Sequence, residues 1–220
     1  KYSSGRLALQ LFTSGGTVYC RKIEAKELAP NGELPPPAIA PFDAKQAKQH
    51  QDAWAKHLGV DVEITNSIGM KLRLIPPGEA TIGTSDAEKP ALIARAAREG
   101  ASPQAAQLIQ NEPSAKRTKI ERPFYLGAQE VTVAQFKRFV DATGYRTEAE
   151  RSGKGGLAIV DSGKFEQKPE YTWRTPGPSK VRDDQPVVHV SHADALAFCA
   201  WISKVEGRRY VLPDEARWEY

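Results

Sequence analysis

The sequence is poor in cysteine, has one methionine, and contains no long apolar run. Each shortage excludes something. Two cysteines, Cys20 and Cys199, are too few for a disulfide framework. They fall in different modules, so no bridge between them is expected and the redox compartment stays open. No apolar stretch approaches the roughly 18 residues needed to cross a bilayer, so no membrane segment is expected. The opening Lys1-Tyr2-Ser3-Ser4 does not begin a secretory signal, and the one methionine is Met70. The chain is therefore expected to start inside something longer. Charge of one sign is also scarce: 31 Lys and Arg against 27 Asp and Glu leave +4 over 220 residues. The densest basic stretch, Lys116-Arg117-Thr118-Lys119, lacks the interleaved aromatics of a nucleic-acid surface. It reads as the solvated edge of a strand.

What the sequence does contain divides into three parts. Residues 1–28 read as two strands around Ser14-Gly15-Gly16, a hairpin too small to stand alone. This suggests the closing strands of an upstream all-β domain. Residues 29–61 form a linker followed by a helix. Pro30, Pro35, Pro36, Pro37 and Pro41 favour an extended spacer. Asp43 caps a helix that stops at Gly59, with Ala47, Ala53, Trp54 and Leu58 as its thin apolar stripe.

Residues 62–220 have globular composition. Strands are expected at Met70–Ile75, Glu79–Gly83, Phe124–Gly127 and Pro186–Val190. One or two helices broken near Gly100–Pro103 are expected across 86–111. Thr132 caps a helix that buries Phe136, Phe139 and Val140 and ends at Gly144. Residues 145–186 are rich in Gly and Pro and read as a long structured loop. Ser191 caps another helix with Asp194 at its third position, burying Ala195, Phe198, Cys199 and Ile202. Asp214 opens a last helix that runs to Tyr220, and a domain closing partway along a helix is expected to be incomplete. Phe198, Trp201 and Trp218 are expected to be left exposed.

Three blocks carry a resemblance. Ile68 to Glu79 with Ile82-Gly83 is similar to the opening of the formylglycine-generating enzyme (sulfatase-modifying factor) family. Phe124 to Thr132 with Gln135-Phe136 resembles the family's second block. Gln185 to Ser191, Asp194-Ala195, Phe198-Cys199, Trp201 and Leu212-Pro213-Asp214-Glu215-Ala216-Arg217-Trp218-Glu219-Tyr220 resemble the third. The resemblance implies an incomplete α+β, C-type-lectin-like fold: loop-rich, with few helices and antiparallel strands. The departures are His192 where the family has Trp, Asp214 for Thr, and Arg217 for Glu. The first 28 residues resemble the end of a concanavalin-like sandwich of the 3-keto-disaccharide hydrolase type.

The family implies a copper-dependent oxidase that converts a sulfatase cysteine to formylglycine, with copper(I) on two thiolates beyond the last block. A soft monovalent ion needs such a pair, and this chain does not supply it, so the chain alone is expected to be inactive. The resemblance implies a sulfatase-like protein or peptide substrate if the parent is catalytic, and it favours an extracytoplasmic setting. The alternative is a non-catalytic lectin-like recognition module in a multi-domain bacterial protein, associated with carbohydrate or with a kinase; His192, Arg217 and the sandwich remnant lean that way.

No catalytic, cofactor-binding or metal-binding residue is assigned. His189, His192 and Cys199 are the one set to weigh as a zinc site, but the two His sit across an expected strand-to-helix junction and need not converge. His192 is expected to pack where the family's Trp packs, and Cys199 to be a small buried hydrophobe. Glu130, Asp194, Glu215 and Glu219 lie in or near helix starts, where carboxylates serve the helix dipole. Gly153, Lys154, Gly155 and Gly156 fit no phosphate-binding spacing; in the family this segment helps shape a surface groove before the Trp173 loop.

Overall fold

Side-chain caps fix the starts of the helices that open at Ala44, Val133, His192 and Glu215. The computed structural model describes residues 33–160 and 164–220; the expected hairpin at 1–28 and Cys20 lie outside them. Asp43 accepts the Gln46 N–H at 2.8 Å, and the Gln46 side chain answers on the Asp43 N–H. These two bonds satisfy two orphan donors at the start of α1 (Ala44–Leu58), which ends on left-handed Gly59. The same reciprocal box, Thr132 with Gln135, opens α4 (Val133–Thr143), and Gly144 closes it. Ser191 with Asp194 opens α6 (His192–Glu206). Asp214 caps α7 (Glu215–Glu219) through the Arg217 N–H at 2.9 Å.

Two three-stranded sheets and a hairpin connect these helices. In the first sheet β4 (Gly78–Ile82) is central, with β5 (Lys116–Ile120) antiparallel on one side and β1 (Ala38–Ile39) parallel on the other. β5 is thus an edge strand, and its lysines and arginine are those of the basic stretch; only Ile120 is buried. In the second, β3 (Lys71–Ile75) pairs antiparallel with β2 (Glu63–Thr65) and β6 (Phe124–Gly127). β3 alternates, with Leu72 and Leu74 inward and Lys71 and Arg73 outward.

The main core is aromatic. Phe136 and Phe139 of α4 meet Phe198 of α6 and Trp173, with ring centroids 5.3–6.0 Å apart, mostly edge to face. Ile202 and Val140 complete it. Cutting one such ring to Ala costs about 3–5 kcal/mol. A smaller cluster joins Trp54 and Ala55 of α1 to Leu74 of β3.

Several sequence expectations change. The Pro-rich segment is not a free spacer: Ala38 is buried in β1, and the Trp54 indole donates to Pro36 O at 3.1 Å. Within the α1 stripe only Trp54 is buried; Leu58 is exposed, because α1 meets β3 through Trp54 and Ala55. Residues 145–186 hold more than loop. Thr147 and Glu150 form another capping box for α5 (Glu148–Ser152), and β7 (Gly156–Ile159) pairs with β8 (Phe165–Lys168). Pro186–Val190 is not a strand. It makes one isolated bridge, Thr132 to Pro186, because Pro186 has no N–H and His189 sits at φ 56°. Phe198 is buried and Trp201 half-buried; of the three aromatics expected to be exposed, Trp218 is.

The segment 86–111 forms two helices, α2 (Lys89–Arg98) and α3 (Pro103–Asn111). Gly100 at φ 78° turns the chain between them, with Ala101 N–H bonded to Ala96 O. Among the described residues no helix is long and apolar enough to cross a membrane.

Candidate functional site

A cleft with convergent polar groups lies where α5, the glycine loop, β8 and the start of α6 meet. It encloses about 410 Å³ and is lined by Glu148, Ser152, Lys154, Gln167, His189 and Ser191, with the backbones of Gly155 and Gly156.

Its walls are held from behind by Asp194, which has no solvent exposure. One carboxylate oxygen accepts the Tyr145 hydroxyl at 2.9 Å and the Glu148 N–H at 3.1 Å; the other accepts the Ser191 N–H at 2.8 Å. A capping residue of α6 therefore also fixes the first residue of α5. Burial first, and then this hydrogen bond, push the Tyr145 phenol above its ordinary value.

His189 forms the floor. Its Nε2 lies 2.8 Å from Pro176 O. A carbonyl can only accept, so Nε2 carries a proton and donates it to Pro176 O. Nδ1 faces Gly156, where a Cβ would overlap the imidazole; a Cβ on Gly155 (φ 67°) would overlap Lys168 O. The glycine loop thus serves close approach, and it does line a groove. Sequence reasoning missed this role of His189. Its signal was adjacent glycines and a histidine, separated by residues that fold back through β8.

The structure does not bring the weighed zinc set together. Among the described residues no three His, Cys, Asp or Glu side chains are placed to share a metal ion. His192 is exposed rather than packed, because the first position of α6 points it to solvent. Cys199 is half-buried on α6, and burial pushes its thiol up, away from the thiolate a metal wants. With one thiol among them, the described residues do not fit the two-thiolate copper site that the resemblance implies. Of the other carboxylates, Glu219 accepts the Gly83 N–H at 2.9 Å and ties α7 to the β4 turn, while Glu130 and Glu215 are exposed. Trp173, buried beneath the stacked Arg174, has an indole N–H that finds no partner among the described residues.

The blocks that build these walls match known proteins. The sulfatase-modifying factor enzyme 1-like domain matches residues 65–220. The formylglycine-generating enzyme of Bos taurus is 36% identical over 169 residues, 68% of this chain and 38% of that protein. That of Streptomyces coelicolor is 38% identical over 117 residues, 45% of this chain and 35% of its own. The inactive C-alpha-formylglycine-generating enzyme 2 of Mus musculus is 36% identical over 117 residues, 45% of this chain and 36% of its own. A solved structure, PvdO from Pseudomonas aeruginosa, aligns with a TM-score of 0.42 and 21% identity over 68% of this chain and 46% of its own. The chain thus spans less than two fifths of the length of these curated relatives. With the family's pattern running from β2 through the aromatic core to α7, the chain belongs to the sulfatase-modifying factor enzyme 1-like family.

Proposed function

We propose that this chain is the framework of a formylglycine-generating oxidase. In this reading residues 62–220 supply core and groove walls, residues 33–61 brace them, and copper with its paired thiolates comes from polypeptide other than the described residues. The substrate is a sulfatase-type cysteine peptide, and the setting is extracytoplasmic. The observation that carries the reading is the 36% identity with the bovine formylglycine-generating enzyme across 169 residues, beside a family match over residues 65–220, which hold the cleft.

The chain's own residues would bind and position rather than react. Lys154, Ser152 and Gln167 offer donors to a peptide backbone along the cleft, and Asp194 keeps both helix starts in place. Copper, when bound, would supply the oxygen-dependent step. The recognition-module alternative gains nothing from His192 and Arg217: both are exposed, and Arg217 sits in an intact cap with Asp214. A carbohydrate ligand gains no support either, since no aromatic side chain lines the cleft.

The test is aldehyde formation on a cysteine peptide with copper and oxygen. The chain alone is expected to form none. Fused to the remainder of the Streptomyces coelicolor formylglycine-generating enzyme, it is expected to form aldehyde. A folded fusion that stays inactive would overturn the proposal.

A further inference from the structure

The Pro-rich segment at residues 36–40 and the end of α7 are far apart along the chain, yet both close over one glycine. The Ala38 N–H donates to Pro77 O at 2.9 Å and the Ala40 N–H to Glu79 O at 2.8 Å, which lays the segment along β4 as a strap. The Trp54 indole grips the strap at Pro36 O, 3.1 Å away. The Tyr220 hydroxyl donates to Ala38 O at 3.1 Å. A Cβ on Gly78 would overlap both Ala38 O and the Tyr220 hydroxyl, so the two meet only because position 78 has no side chain.

Neither segment holds itself. Within the strap only Ala38 is buried. One small side chain and a few hydrogen bonds place it at the low end of local stability. α7 has five residues and buries none of them, and its Trp218 is 73% exposed. A helix this short is not stable by itself in water, so its order depends on what grips it. Its end is gripped by Glu219 on the Gly83 N–H at 2.9 Å and by Tyr220 on the strap. The strap lies outside residues 65–220, which match the family, whereas α7 lies within them.

We propose that the strap and α7 form one latch: they dock together over Gly78 and release together while the aromatic core stays folded. Two segments that bias one docked–released equilibrium affect each other equally, because such linkage is reciprocal. Whatever draws the strap off β4 therefore loosens α7, and whatever draws α7 away frees the strap. The Pro-rich segment is thus a handle on a helix of the family domain that it does not itself belong to.

Native-state amide exchange of the 220-residue chain, followed by nuclear magnetic resonance, tests this. The Ala38 and Ala40 N–H groups report on the strap, and those of Gly83 and Trp218 on α7, all four being bonded in the docked state. Tyr220→Phe removes the bond to Ala38 O and is expected to speed exchange at all four by about fivefold, the worth of one hydrogen bond. Trp54→Phe, which loosens the strap at Pro36, is expected to speed Gly83 and Trp218 by the same factor as Ala38 and Ala40. Ile202→Val, in the fully buried core, is expected to speed exchange within α4 and α6 and to leave these four amides unchanged. The proposal is overturned if either latch variant speeds exchange in one segment only or in neither. It is equally overturned if Ile202→Val speeds the strap and α7 as much as the core.

Discussion

The hydroxyl of Tyr145 donates to the carboxylate of Asp194 at 2.9 Å, across 49 residues of chain. The same carboxylate holds the Glu148 and Ser191 N–H groups, so one buried side chain joins the starts of α5 and α6. Asp194→Ala leaves three donors, the Tyr145 hydroxyl and the Glu148 and Ser191 N–H groups, without their acceptor. It is expected to lower stability by about 3 kcal/mol or more, with Asp194→Asn costing less because one acceptor remains. Urea midpoints of the three proteins measure this, and faster amide exchange at Glu148 and Ser191 separates it from a general loss of packing.

Tyrosines make the fold sensitive to alkali. Burial raises Tyr145, Tyr125 and Tyr220 above the ordinary value of 10, Tyr220 to about 12. A raised phenol pKa means that the folded state favours the neutral form. That stabilisation is complete below pH 10 and is lost as pH climbs through the folded values. Denaturant midpoints should therefore fall between pH 10 and about 12. Tyr220→Phe, which also removes the bond from its hydroxyl to Ala38 O at 3.1 Å, should flatten that fall.

Gly156→Ala should open the cleft. Its Cβ would overlap the His189 ring, so the imidazole must swing away from Pro176 O. The expected result is a loss of about 1–3 kcal/mol and a changed His189 resonance in a pH titration by nuclear magnetic resonance. An unchanged His189 signal would contradict the packing described.

Trp54 fastens the Pro-rich segment. Trp54→Phe removes the bond to Pro36 O and should cost about 1 kcal/mol beyond the change in size. Trp54→Ala empties the smaller cluster and should cost about 3–5 kcal/mol. Limited proteolysis between Leu34 and Pro41 should be faster in both, and more so in the second.

Much of the helical framework was legible because capping is local. Asp43, Thr132, Ser191 and Asp214, with Gly59 and Gly144 as stops, mark four helices within a few residues of chain. Thr147 and Glu150 carry the same signal, obscured by the surrounding Gly and Pro. Pairing between distant segments was not legible: nothing local ties Ala38 to Gly78. At the site, the groove-lining part of the glycine loop could be anticipated from the family pattern. The left-handed backbone of His189 and the double duty of Asp194 could not, since both depend on where Pro176, Gly156 and Tyr145 arrive in space.

Gly78 sits where Ala38 and Tyr220 meet, with no room for a side chain between them. Residues 182 apart along the chain thus share one spot. A pulling force applied at Ala38 and Tyr220 would load that spot first. Tension would peel β1 from β4 and α7 from the β4 turn before reaching Phe136 and Phe198. Strung in series with other folded units, this one would yield at its seam and keep its aromatic centre intact.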